Sequence, residues 1–143
     1  MPEARQGLRV LYLLTDGFGG HGGIAMYNRD VLTAMCVDPG IYEVVVLPRS
    51  ISREVGALPD KLTHLKAAAG GAVAYARALL AVLRSGHFDL VYCAHINLAP
   101  LAWLAAKVLR APWLLALYGI DAWNAPARPF SRWASRRSRR RRR

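Results

Sequence analysis

A doubly wound α/β domain built on a parallel sheet is the fold that this 143-residue chain predicts. Short apolar runs of strand length alternate with stretches of helical spacing. The runs are apolar on both faces, as strands inside a parallel sheet are. A glycine-dense loop separates the first run from the first helix, where such folds place a ligand-binding turn. The length suits one domain, with 54% hydrophobic and 20% charged residues and a mean hydropathy of +0.16. That composition excludes a chain disordered throughout.

The elements follow in order. Arg9-Val-Leu-Tyr-Leu-Leu-Thr15 predicts a first strand, ending at Asp16-Gly17. Residues 16–23 hold five glycines. Ile24, Tyr27, Val31, Leu32 and Met35 then recur at helical spacing, and Asp38-Pro39-Gly40 stops that helix. Tyr42 to Leu47 reads as the second strand, closed by Pro48. Residues 49–61 read as loop with one helical turn, and Leu62 to Leu65 as a short third strand. An Ala- and Leu-rich helix runs from Gly70-Gly71 to about Leu83, with Val73, Ala76, Leu80 and Leu83 on its expected inner face. Asp89 to Ala94 is a fourth strand. Asn97 is a cap candidate for a helix over residues 99–109, and Pro112 to Tyr118 is a fifth strand. Ligands of such a domain bind outside the carboxyl ends of the strands, where residues 16–23, 94–97 and 118–124 are expected to meet.

Charge separates a body from a tail. Nine of the 20 Lys and Arg lie in residues 128–143, so the rest of the chain holds 11 against all 9 Asp and Glu. A nearly neutral domain, 1–127, is therefore expected to carry an Arg-rich segment, 128–143, that is disordered or helical. The overall basicity is no sign of a nucleic-acid-binding domain. Cys36 and Cys93 stand among apolar neighbours and read as buried small hydrophobes, without a disulfide framework or a zinc spacing. No apolar stretch approaches the roughly 20 residues of a membrane span. A cytoplasmic location is expected, or a peripheral one at the inner face of the membrane.

The glycine loop supports two chemistries. Gly17-Phe18-Gly19-Gly20-His21-Gly22 matches the G-x-G-x-x-G dinucleotide fingerprint, but the second strand ends at Leu47-Pro48-Arg49-Ser50 without the ribose-binding acid. Arg49 could meet a 2′-phosphate instead, which keeps an NADP-binding Rossmann fragment as an alternative. The other chemistry uses Gly22-Gly23 at the helix start, where missing β-carbons let a phosphate reach backbone amides and the positive end of the helix dipole. His21 reads as loop filler, and His64 has no assignment.

Three segments carry a family likeness. Gly22-Gly-Ile-Ala-Met-Tyr-Asn-Arg-Asp-Val-Leu32, Phe88-Asp-Leu-Val-Tyr-Cys-Ala-His95 and Ala111-Pro-Trp-Leu-Leu-Ala-Leu-Tyr-Gly-Ile-Asp-Ala-Trp123 resemble, in order and spacing, motifs of the family 4 retaining glycosyltransferases. The likeness covers residues 8 to about 135. It implies the amino-terminal, acceptor-side domain of a GT-B fold, which faces a second domain across a cleft. The activity implied is transfer of a sugar from a nucleotide-sugar donor to a glycan or lipid-linked acceptor, as in polysaccharide biosynthesis. Configuration is retained, and no metal or other cofactor is implied.

Gly22 and Gly23 are then the donor-phosphate contacts, and Asn28, His95, Tyr118 and Asp121 the candidates for acceptor and sugar hydroxyls. Trp123 could stack on a sugar face. The family has His where this chain has Tyr118, and a phenol titrating near pH 10 is a poor acid or base at neutral pH. No catalytic residue is therefore assigned. Family members continue after a segment like Arg132–Arg137 with Ala-Asp, a hydrophobic strand and Ser-Glu. Here Ser138 and five Arg follow, as expected if the reading frame was interrupted, and the truncated chain is expected to be inactive alone. A third possibility is a basic adaptor, in which residues 128–143 bind an anionic membrane or, less well supported, nucleic acid.

Overall fold

The computed structural model describes residues 6–119. Five parallel strands form one sheet in the order β3-β2-β1-β4-β5. They are β1 (Leu8–Leu14), β2 (Ile41–Pro48), β3 (Leu62–His64), β4 (Leu90–Cys93) and β5 (Trp113–Leu115). Three helices cross between them: α1 (Gly23–Val37), α2 (Ala72–Arg84) and α3 (Ala99–Leu109). Short 3-10 turns, Lys66–Ala69 and Ile96–Leu98, lead into α2 and α3.

The central strands are apolar on both faces because both faces are covered. Val10, Tyr12 and Leu14 of β1 share one face with Val44 and Val46 of β2, and Leu32 and Cys36 of α1 close over them. Leu11 and Leu13 share the other face with Val45, Leu47, Val91 and Cys93, beneath Tyr75, Leu79 and Val82 of α2 and Ala102, Ala105 and Ala106 of α3. Both cysteines are buried and unpaired by disulfide, as their apolar settings predict. The strand order reverses between β1 and β4. In folds of this kind, ligands bind outside the carboxyl ends of the strands at such a reversal.

At the opposite, amino-terminal edge, Arg9 ties three strands together. Its backbone amide donates to Asp89 Oδ2 at 2.8 Å and its Nε to Glu43 Oε2 at 2.6 Å. Its guanidinium lies 4.3 Å from the centre of the Phe88 ring. The clamp sits at the far end of the strands from the glycine loop.

Four details depart from the sequence reading. β5 stops at Leu115, since its partner β4 ends at Cys93 and the last tie is Ala116 N–H to the Cys93 carbonyl at 2.8 Å. Tyr118 therefore lies beyond the strand. α1 buries Ala25, Asn28, Leu32 and Cys36, while Tyr27 is exposed. α2 buries Tyr75, Leu79 and Val82 and turns Val73, Ala76 and Leu80 to solvent, so that of the expected inner face only Leu83 packs, half-buried, against the core. The helix is apolar on nearly every side, so its periodicity did not select the inner one. Last, His95 rather than Asn97 caps the turn before α3.

Candidate functional site

Four of the five glycines after β1 divide into two groups by what surrounds them. Gly19, at φ +84°, is pressed by the β2–β3 connection. A β-carbon there would stand 2.8 Å from Ile51 Cγ2 and 2.9 Å from the Arg53 carbonyl oxygen. The Gly19 carbonyl accepts from the amides of Ser52 (3.0 Å) and Arg53 (2.8 Å). Gly20 lies against the Asp16 carboxylate, which a β-carbon would overlap. These two glycines serve close packing inside the protein.

Gly22 and Gly23 differ. No atom lies within 4 Å of the β-carbon position at either. Gly22 is the N-cap of α1 at φ +97°, a conformation that favours glycine. No side chain caps this helix and no acidic residue stands in its first turn. The leading amides of a 15-residue helix thus have no side-chain cap, and the positive end of the helix dipole lies behind them. Arg29, one and a half turns along, donates from a guanidinium nitrogen to the Gly20 carbonyl at 3.4 Å and adds positive charge beside the loop.

Asp16 is the counterweight. Its Oδ1 is buried without a hydrogen-bond partner. Burial raises its pKa above the ordinary carboxylate value, and His21 and Arg29 oppose the shift.

Asn28 is fully buried and joins three segments. Its Oδ1 accepts from the Tyr12 hydroxyl at 3.1 Å and from the Tyr118 hydroxyl at 3.0 Å, using both lone pairs. Its Nδ2 donates to the Asp16 carbonyl at 2.9 Å. One side chain of α1 therefore holds β1, the root of the glycine loop and the segment after β5. Tyrosines enclose it: Tyr12 stacks on Tyr92 at 4.6 Å between centroids, and Tyr118 meets Tyr27 edge to face at 5.7 Å. Burial, reinforced by the neighbouring phenols, pushes the Tyr12 pKa far above its ordinary value, and burial raises that of Tyr92 as well. Tyr12 is a hydrogen-bond donor at any physiological pH.

His95 follows β4, whose exit is tied to β1 by the Ala94 amide on the Leu13 carbonyl at 2.8 Å. His95 Nδ1 accepts from the Asn97 amide at 3.1 Å. With Nδ1 an acceptor, the neutral ring carries its proton on Nε2 and offers a donor. The candidates thus fall into two groups. Gly22, Gly23, Asn28 and Tyr118 belong to one cluster built on α1. His95 stands across the strand-order reversal, at the tip of β4. Asp121 and Trp123 lie outside the described residues.

Arg29, Asp16 and the loop over Gly19 had no sequence assignment. His64, also unassigned, ends β3 with both ring nitrogens buried and unpartnered, and burial, then Lys66, lowers its pKa. Among the described residues no group of three or more His, Cys, Asp or Glu could hold a metal ion. No protein-family model, curated protein or solved structure matches the chain.

Proposed function

We propose that this chain is the acceptor-side, Rossmann-like domain of a retaining glycosyltransferase of GT-B type. The diphosphate of a nucleotide-sugar donor would rest on the α1 amides at Gly22 and Gly23. The observation that carries this reading is the uncapped helix start, open above both glycines and set at the strand-order reversal of a parallel sheet. A departing nucleoside diphosphate gains charge, and fixed amide dipoles beside it stabilise that charge without reorganising. Arg29 adds to the field.

Asn28 and Tyr118 then act chiefly on one another. Their polar atoms meet at 3.0 Å, so they set the height of the glycine loop against the segment after β5. His95 Nε2–H is the better candidate for a sugar hydroxyl. The transfer itself needs groups on a second domain facing this one. The single domain binds but does not turn over.

An NADP-binding fragment is less well supported. In the fingerprint the second glycine leaves room for the pyrophosphate, and here that space at Gly19 is filled by Ile51 and the Arg53 carbonyl. The adaptor alternative rests on residues 128–143, outside the described residues.

The test is saturation-transfer NMR on the full chain with a panel of nucleotide-sugars and with NADP. The proposal expects transfer to at least one nucleotide-sugar and none to NADP. Transfer to NADP alone would move the assignment to the dinucleotide class.

A further inference from the structure

Val73, Ala76 and Leu80 of α2, which the sequence reading placed in the core, face solvent. Val73 is 75% exposed and Leu80 46%. α3 lies beside α2 on the same face of the sheet and exposes Trp103, Leu104 and Val108, at 47%, 50% and 59%. The spacing puts these residues on one outward side of each helix: 73, 76, 77 and 80 on α2, and 103, 104, 107 and 108 on α3. Every charge on the two helices and at their ends is positive. Arg77, Arg84, Lys107 and Arg110 are all exposed, and residues 72–84 and 99–110 contain no Asp or Glu. The Lys107 ammonium sits 4.5 Å over the Trp103 ring, so a cation and an indole occupy the same patch.

We propose that the outer face of the α2–α3 layer docks the protein on an anionic lipid surface. Large apolar side chains rimmed by Lys and Arg are the composition of an interfacial face, where apolar groups enter the acyl boundary and cations meet headgroup phosphates. Neither helix is long and apolar enough to cross a bilayer, so the contact is along the surface. A second copy of this chain is a poor occupant, since two-fold pairing of the patch would set its cations against themselves. An acidic bilayer supplies the opposite charge over the whole area. α1 and its open N-terminus lie on the other face of the sheet, so docking leaves the proposed donor contact free. The inference is independent of the sugar-transfer reading.

Residues 128–143 also attract acidic lipid, so each arm of the test uses the full chain and alters only exposed positions of α2 and α3. Co-sedimentation is measured with vesicles of phosphatidylcholine alone and of phosphatidylcholine with phosphatidylglycerol in about equal parts. Binding is expected to the acidic vesicles. Each basic residue near such a surface is worth about five-fold in partitioning, so Arg77→Glu with Lys107→Glu should weaken binding by about ten-fold or more. Leu104→Glu with Val108→Glu should weaken it comparably. With brominated acyl chains in the vesicles, Trp103→Phe should lose a large share of the tryptophan quenching. Unchanged partitioning in both double variants, with unchanged quenching in Trp103→Phe, would overturn the proposal and leave 128–143 as the lipid contact. Absence of binding to acidic vesicles would overturn it too. So would a dimer that Leu104→Glu dissociates while vesicle binding is unaffected.

Discussion

At the scale of single residues, the glycine loop shows that one residue type can be required for opposite reasons. A methyl group at Gly19 meets Ile51 and the Arg53 carbonyl, and one at Gly23 meets nothing. Gly19→Ala should lose roughly 1–3 kcal/mol in urea unfolding, because backbone and β-branched neighbours must move. Gly23→Ala should stay within about 0.5 kcal/mol of the parent and still lose most of its affinity for inorganic pyrophosphate, since the methyl stands over the amides. Asn28 makes a second test. Asn28→Leu takes this partner from the buried Tyr12 hydroxyl, the half-buried Tyr118 hydroxyl and the Asp16 carbonyl and should cost about 2–4 kcal/mol. Tyr118→Phe removes one donor from an oxygen that keeps another, and about 0.5–1.5 kcal/mol is expected. Asp16 gives a pH signature. Its folded pKa is raised, so the folded chain holds the proton more tightly than the unfolded chain does, and the associated stability is lost as pH rises through the folded value. Asp16→Asn should therefore melt higher than the parent near neutral pH, with the gap closing below about pH 4 in thermal scans.

At the scale of elements, strands were more legible than helix faces. β1, β2 and β4 are short runs apolar on both sides, and a strand covered on both sides has no face to misassign. α2 is different. Its sequence AVAYARALLAVLR offers an apolar stripe in almost any direction, and the burial of Tyr75, Leu79 and Val82, with the Tyr75 hydroxyl donating to the Leu47 carbonyl at 3.4 Å, shows which stripe turns inward. The energetic consequence is measurable. Leu79→Ala should lose about 2–4 kcal/mol and Val73→Ser less than about 0.5 kcal/mol in denaturant melts. The reverse order would put the expected face back in the core. The same holds for α1, where Asn28 took a core position. A polar residue amid Ala25, Leu32 and Cys36 gave no pattern by which Tyr12 and Tyr118, far apart along the chain, could be named as its partners. Long-range polar pairing is set by strand order and register, and spacing along one helix does not contain it.

At the scale of the whole molecule, the strand order sets the loop after β1 beside the turn after β4, and the two faces of the sheet present different surfaces. The α1 face carries the open helix start and the Asn28–tyrosine cluster. The α2–α3 face carries the apolar, basic surface. The glycine loop was recognisable from sequence as the connection between the first strand and the first helix. Which of its glycines remain open could be decided only once residues 51–55 were seen to pack on Gly19. The measurement that reaches the central claim most directly is a titration of the 15N-labelled full chain with inorganic pyrophosphate, followed by amide chemical shifts. Saturable shifts led by Gly22, Gly23, Ile24 and Ala25, with Gly70 to Val73 at the start of α2 unmoved, are the predicted result. Shifts confined to other residues, or none at the head of α1 while pyrophosphate binds elsewhere, would contradict a phosphate site there.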